Sequence, residues 1–149
     1  MATVTTSDLR ILIVEARFYE DIADALVDGA MGVLEAAGAQ VERLAVPGAF
    51  EIPAAIRFAL DSGRYDGFVA LGCVIRGDTT HYDYVCGESA RGLNQLAIDR
   101  KACIGYGILT VENREQAWAR ARADRANKGA DVASACLRMI EIKRQFQQG

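Results

Sequence analysis

Gly67-Phe-Val-Ala-Leu-Gly-Cys-Val-Ile75, followed by Arg76-Gly-Asp-Thr-Thr-His81, decides the architecture. The first segment is apolar without polar alternation, so a strand built from it is covered on both faces, as a central parallel strand is. Its apolar run is far below the roughly 18 residues needed to cross a bilayer. A turn at Gly77-Asp-Thr-Thr80 leads into a helical pattern from about Tyr82 to Ile98. Strand, polar turn and helix make one βα unit.

The flanking sequence repeats that unit. Towards the N-terminus, Arg10 to Glu15 reads as a strand, and Tyr19 to Ala37 carries Ile22, Leu26, Ala30 and Leu34 at helical spacing. Glu20, Asp21 and Asp24 suit the positive end of that helix, and Gly38 closes it. Gln40 to Val46 is a second strand ended by Pro47-Gly48, and Ile52 to Leu60 is a helix with Pro53 in its first turn. Towards the C-terminus, Ala102 to Leu109 reads as the fourth strand. Asn113, with Gln116 three places on, starts a helix predicted through Ala126. Asn127-Lys-Gly129 interrupts, and a last helix puts Val132, Cys136, Met139 and Ile140 on one face, with Lys143 and Arg144 near its negative end. Right-handed βαβ crossovers then give an α/β fold of three layers, a four-stranded parallel sheet with helices on both faces. Residues 1–149 are expected to make a single domain, with residues 1–9 as a flexible or subunit-exchanging N-terminal arm.

Length and composition agree with one globular core. The 149 residues are 51% hydrophobic and 25% charged, which excludes a disordered chain. A net charge of −3 favours neither nucleic acid nor an anionic membrane. Met1 to Arg10 lacks the basic and apolar regions of a secretory signal, so a cytoplasmic location is expected. Cys73, Cys86, Cys103 and Cys136 are scattered without a C-x-x-C pair, beside a single histidine. That offers no metal-ligand spacing and fits reduced thiols.

Ligands of such sheets collect at the carboxyl ends of the strands. Those ends carry Ala16-Arg-Phe18, Pro47-Gly-Ala-Phe-Glu51, Arg76 to His81 and Thr110-Val-Glu112. The amides of Asp78, Thr79 and Thr80 open a helix and can hold a phosphate, and histidine both gives and takes protons near neutral pH. The same residues also read as a plain helix cap with a surface histidine. Phe50 offers a stacking face and Glu51 an acceptor; equally, they form a core aromatic and a helix start after a Pro-Gly turn. Arg114, Arg120, Arg122, Arg125 and Lys128 alternate with acids and read mainly as a solvated face, from which one arginine could reach a phosphate. The glycines match neither dinucleotide-binding nor Walker patterns. A thiol enzyme built on Cys73 or Cys86 with His81 is poorly supported, because one cysteine lies in a buried strand and the other inside a helix.

Taken in order, five segments resemble the lumazine synthase family. They are Ala16-Arg-Phe18, Val46-Pro-Gly-Ala-Phe-Glu-Ile-Pro53, Gly72 to Val85, Gly107 to Ala117 and Asn127-Lys-Gly129. The resemblance implies a flavodoxin-like fold and an enzyme that condenses 5-amino-6-(D-ribitylamino)uracil with 3,4-dihydroxy-2-butanone 4-phosphate. The products are 6,7-dimethyl-8-ribityllumazine, phosphate and water, on the penultimate step to riboflavin, with no metal and no cofactor. Carried over by position, Phe18, Ala49, Phe50 and Glu51 surround the ribityl-pyrimidine, with the backbone of Cys73, Val74 and Ile75 along the ring and Tyr106 nearby. Asp78, Thr79, Arg120 and Lys128 take the butanone phosphate, and His81 moves protons. The resemblance also implies a homo-oligomer with sites between subunits, to which Tyr106, Arg120 and Lys128 come from a neighbour, and a hand-off of product to riboflavin synthase.

Two departures from the family stand out. Tyr19 occupies a position where Asn is common, with little effect expected. Ala121-Arg-Ala-Asp-Arg-Ala126 lacks the glycines that kink shell-forming members, so the helix is expected to run on and favour a pentamer over a sixty-subunit shell. A non-catalytic flavin- or lumazine-binding relative would be expected to lose His81 or Arg120, and both are present. A signalling receiver would need acids where Ala16-Arg17 and Arg76 stand.

Overall fold

The computed structural model describes residues 8–147. Most of the expected arm therefore lies outside the described residues, and Leu9, at its end, is buried. Strands β1 (Arg10–Ala16), β2 (Gln40–Val46), β3 (Gly67–Ile75) and β4 (Ile104–Val111) form one parallel sheet in the order β2-β1-β3-β4. Period-two alternation divides the core. Ile11, Ile13, Val69, Leu71, Leu109 and Val111 face helices α1 (Glu20–Ala36), α4 (Arg114–Ala121) and α5 (Lys128–Gln147). Leu12, Val14, Phe68, Ala70 and Ile108 face α2 (Ile52–Ser62) and α3 (His81–Asp99). Helices thus cover both faces, as the apolar runs require.

Local chemistry sets the element ends. In α1, Ile22, Leu26, Ala30 and Leu34 are fully buried. The helix then stops at Gly38, whose φ of 75° is left-handed. Gly38 N–H donates to the Glu35 carbonyl at 2.9 Å and Ala39 N–H to the Leu34 carbonyl at 3.1 Å, closing the helix with both bonds of a Schellman turn. Asn113 caps α4 by accepting from Gln116 N–H at 2.8 Å. The reciprocal bond is displaced by one residue: Gln116 Oε1 accepts from Glu112 N–H, also at 2.8 Å.

Several boundaries differ from expectation, and two of the differences have a clear physical cause. The fourth strand begins at Ile104 rather than Ala102 and runs on to Val111. Lys101 takes a φ of 57° and Ala102 N–H donates to the Leu96 carbonyl, so these residues complete the exit from α3. Thr110 and Val111 instead extend the ladder against Val74 and Ile75. The second difference is larger. The helix predicted through Ala126 stops at Ala121, and Arg122 is extended. Arg125 and Asn127 N–H groups turn back to the Arg122 carbonyl, and Arg122 pairs with Asp124 at 2.7 Å. Asn127 then adopts a φ of 50°, a conformation that asparagine tolerates better than most residues. The break also lets α5 dock closely: a Cβ on Gly129 would lie 2.1 Å from the Leu26 carbonyl oxygen. The expectation of an unbroken helix is therefore corrected.

Candidate active site

Strand order reverses between β1 and β3, and there the carboxyl ends of β1, β2 and β3 border one cleft of about 360 Å³. Each end delivers its residues by a short, defined path. β1 leads into Phe18 and Tyr19 just ahead of α1. Beyond β2, Pro47 and Gly48 enter a single 3-10 turn at Ala49–Glu51, which hands the chain directly to α2. β3 supplies Cys73, Val74 and Ile75 as wall, and α3 begins at His81.

Eight of the candidate residues come together on this cleft: Phe18, Ala49, Phe50, Glu51, Cys73, Val74, Ile75 and His81. The two aromatic rings stand largely in the open, Phe18 at 76% and Phe50 at 55% exposure. Ala49 is buried beside them. Asp78 and Thr79 are exposed in the turn before α3, and the Thr79 hydroxyl accepts from His81 N–H at 3.3 Å. That turn is anchored by Arg76. Its N–H donates to the Val111 carbonyl, its guanidinium binds Glu112 at 2.8 Å, and it lies 4.3 Å from the Tyr82 ring centroid.

Three candidates lie elsewhere in the protomer. Tyr106, on the edge strand β4, sits beside Ser89 and Cys86 of α3, and burial pushes its phenol pKa up. Arg120 is exposed at the end of α4 and donates to its own helix at the Gln116 carbonyl, 2.9 Å away. Lys128 is exposed at the start of α5. Among the described residues, none of those lining the cleft is a lysine or arginine. Among the described residues no cluster of three His, Cys, Asp or Glu side chains could hold a metal ion.

Beneath the loops lies a buried charge. Glu15, 2% exposed, receives both arms of Arg43 at 2.7 and 2.8 Å and one arm of Arg17 at 2.6 Å. Arg17 also bonds Asp24 of α1. Burial alone would raise the Glu15 pKa, and the two arginines outweigh it and hold the carboxyl below its usual range. This network ties β1, edge strand β2 and α1 together under the Phe18 loop. Cys73 behaves oppositely. Burial pushes its thiol up to about 11, so it serves the cleft as a neutral wall and not as a nucleophile.

Known proteins match this sequence over more than nine-tenths of its length. A sequence profile described as 6,7-dimethyl-8-ribityllumazine synthase matches residues 8–144. The chain belongs to the 6,7-dimethyl-8-ribityllumazine synthase family. It is 58% identical over 142 residues to the 6,7-dimethyl-8-ribityllumazine synthase of Afipia carboxidovorans, covering 92% of this chain and 87% of that one. Identity to 6,7-dimethyl-8-ribityllumazine synthase 1 of Rhizobium meliloti is 58% over 143 residues, 93% and 94% of the two chains. For the Agrobacterium fabrum enzyme it is 57% over 141 residues, 91% and 95%.

Within the lumazine synthase frame, sequence reasoning missed several residues lining the cleft, Tyr19 and Val85 among them. Val85 was findable, since it lies one helical turn after His81 and shares its face. Tyr19 gave no such periodic signal. It follows Phe18 directly, and its direction depends on how α1 begins.

Proposed function

We propose that this chain is a 6,7-dimethyl-8-ribityllumazine synthase, joining 5-amino-6-(D-ribitylamino)uracil to 3,4-dihydroxy-2-butanone 4-phosphate with loss of one phosphate and two waters. The observation that carries the reading is the meeting of Phe18, Phe50 and His81 on one cleft at the point where strand order reverses. A flat pyrimidine fits between aromatic walls, and Glu51 accepts from ribityl hydroxyls. The amides of the turn at Asp78 and Thr79 take the phosphate.

The chemistry follows from those groups. The ribitylamino-uracil primary amine attacks the ketone carbon, the adduct loses water to give an imine, and elimination then releases phosphate. That elimination takes the proton from the hydroxyl-bearing carbon and leaves an enol, which tautomerises to a new ketone, and attack of the second amine on this ketone closes the ring and expels the second water. Every step moves a proton, which His81 takes from a nitrogen or carbon and returns to a departing oxygen. Holding two substrates side by side supplies the larger share of the acceleration.

The complete site is proposed to lie between copies of the chain. Supporting this are the exposed aromatic walls, a lining without a cation, and an Arg120 that makes no ion pair among the described residues. Arg120, Lys128 and Tyr106 of a neighbour then finish the phosphate and pyrimidine ends. The assembly is a homo-oligomer. The helix break at Arg122 removes the reason for preferring a pentamer, so light scattering decides between about 80 kDa for five 16.1 kDa chains and a particle near a megadalton for sixty. Four free thiols support a reducing, cytoplasmic setting, where the product passes to riboflavin synthase. Mixing purified protein with both substrates and following lumazine absorbance and fluorescence tests the reading. No product from a folded, assembled sample overturns it.

A further inference from the structure

Tyr19 lines the cleft next to Phe18, and the two rings meet edge to face, with centroids 4.9 Å apart and planes at 79°. Phe18 is otherwise an exposed side chain, free to hop between staggered rotamers. Tyr19 is half-buried against the core under α1, and it is gripped from a second direction. The guanidinium of Arg114, the first residue of α4, lies 5.6 Å from the Tyr19 ring centroid. Arg114 is itself held by Asp21 in the first turn of α1 at 2.6 Å. The bracket passes from α4 through Tyr19 to the outermost wall of the cleft.

We propose that Tyr19 is a positioning residue: it presets the Phe18 ring as the face on which a flat heteroaromatic substrate stacks, while Arg114 and Asp21 hold Tyr19. The inference rests on the condensation reading for the identity of that substrate. A ring already set in its bound orientation loses less freedom when the ligand arrives. Among the described residues Tyr19 makes its ring contacts with Phe18 and Arg114 and none with His81, so its influence is confined to capture of the pyrimidine. The little effect expected of this departure from Asn is replaced by a specific one.

Steady-state kinetics on the full-length Tyr19→Leu and Tyr19→Phe variants test it. Tyr19→Leu raises KM for the ribitylaminouracil about 3- to 10-fold, the size of one edge-to-face contact, and leaves kcat and KM for the butanone phosphate within about 2-fold. Tyr19→Phe, which keeps the ring, restores the wild-type value. Arg114→Gln shifts the same KM in the same direction by less. A second readout needs no turnover: fluorophenylalanine labelling, with the Phe18 signal assigned through Phe18→Leu, shows that resonance moving in Tyr19→Leu. An unchanged pyrimidine KM in Tyr19→Leu, both KM values rising together, or Tyr19→Phe failing like Tyr19→Leu overturns the proposal. Should the wild-type protein form no lumazine, the condensation reading falls. The fluorine signal then decides Tyr19 alone, and an unmoved Phe18 resonance in Tyr19→Leu removes its role.

Discussion

His81 sits at the first position of α3 with the cleft in front of it, and its proposed contribution is proton transfer between bound partners. His81→Ala therefore slows turnover roughly 10- to 100-fold without abolishing it, as stopped-flow measurement of lumazine formation will record. A loss many orders larger would mean that positioning supplies less than argued. Glu15 gives a prediction of another kind, because its depressed pKa belongs to the folded state. Such a group contributes stability above the ordinary carboxylate value of 4.5, and the contribution disappears as pH falls through the lower folded value. Glu15→Gln should accordingly cost about 1–3 kcal/mol at pH 7, below the range for a fully buried pair because both arginines regain water. The gap to wild type should close in urea melts taken below pH 4.5. A constant gap across that window would take the carboxylate out of the explanation.

At the scale of elements, the join between α1 and α5 depends on an absent side chain. The Cβ of Gly129→Ala would press on the Leu26 backbone carbonyl, which cannot swing away, so the cost is about 3 kcal/mol and a fall of roughly 6–12 °C in Tm. Gly32, exposed inside α1 with nothing within 4 Å of a Cβ, makes the internal control. Gly32→Ala should stabilise by about 0.5–1 kcal/mol in the same calorimeter. These contacts also explain what could be read in advance. The end of β3 was legible because a buried parallel strand is apolar without interruption until the polar turn at Gly77, whereas the exposed edge strand β2, which carries Glu42 and Arg43, was legible by its Pro47-Gly48 stop. The stop of α4 was not, since Ala121 to Ala126 is built largely of helix-forming Ala and Arg. Its break is imposed by left-handed Asn127 and by the docking of Gly129 on a helix about a hundred residues away in sequence. The cleft residues on strand ends were legible for the same reason as the strands. Tyr19 was not, because its role depends on Arg114 arriving from α4.

Across the whole molecule, the site proposed to be shared between copies implies that defective chains complement each other. His81→Ala and Arg120→Ala chains, dissociated, mixed and reassembled, should regain about a quarter of their sites with both groups intact. Activity at low butanone phosphate should then exceed that of either parent. A mixture giving only the parents' average would return the site to a single chain. The strand order has a consequence for synthesis as well. Ile11 pairs with Val41 on one side but must wait for Gly67 on the other. At about 5–20 residues per second that wait lasts roughly 3–11 s after Ile11 is made, before the ribosomal tunnel adds its own delay. During this interval the nascent chain carries a greasy ribbon with one bare edge, a natural client for a holdase, although in the finished protein the same ribbon is the best sheltered of all.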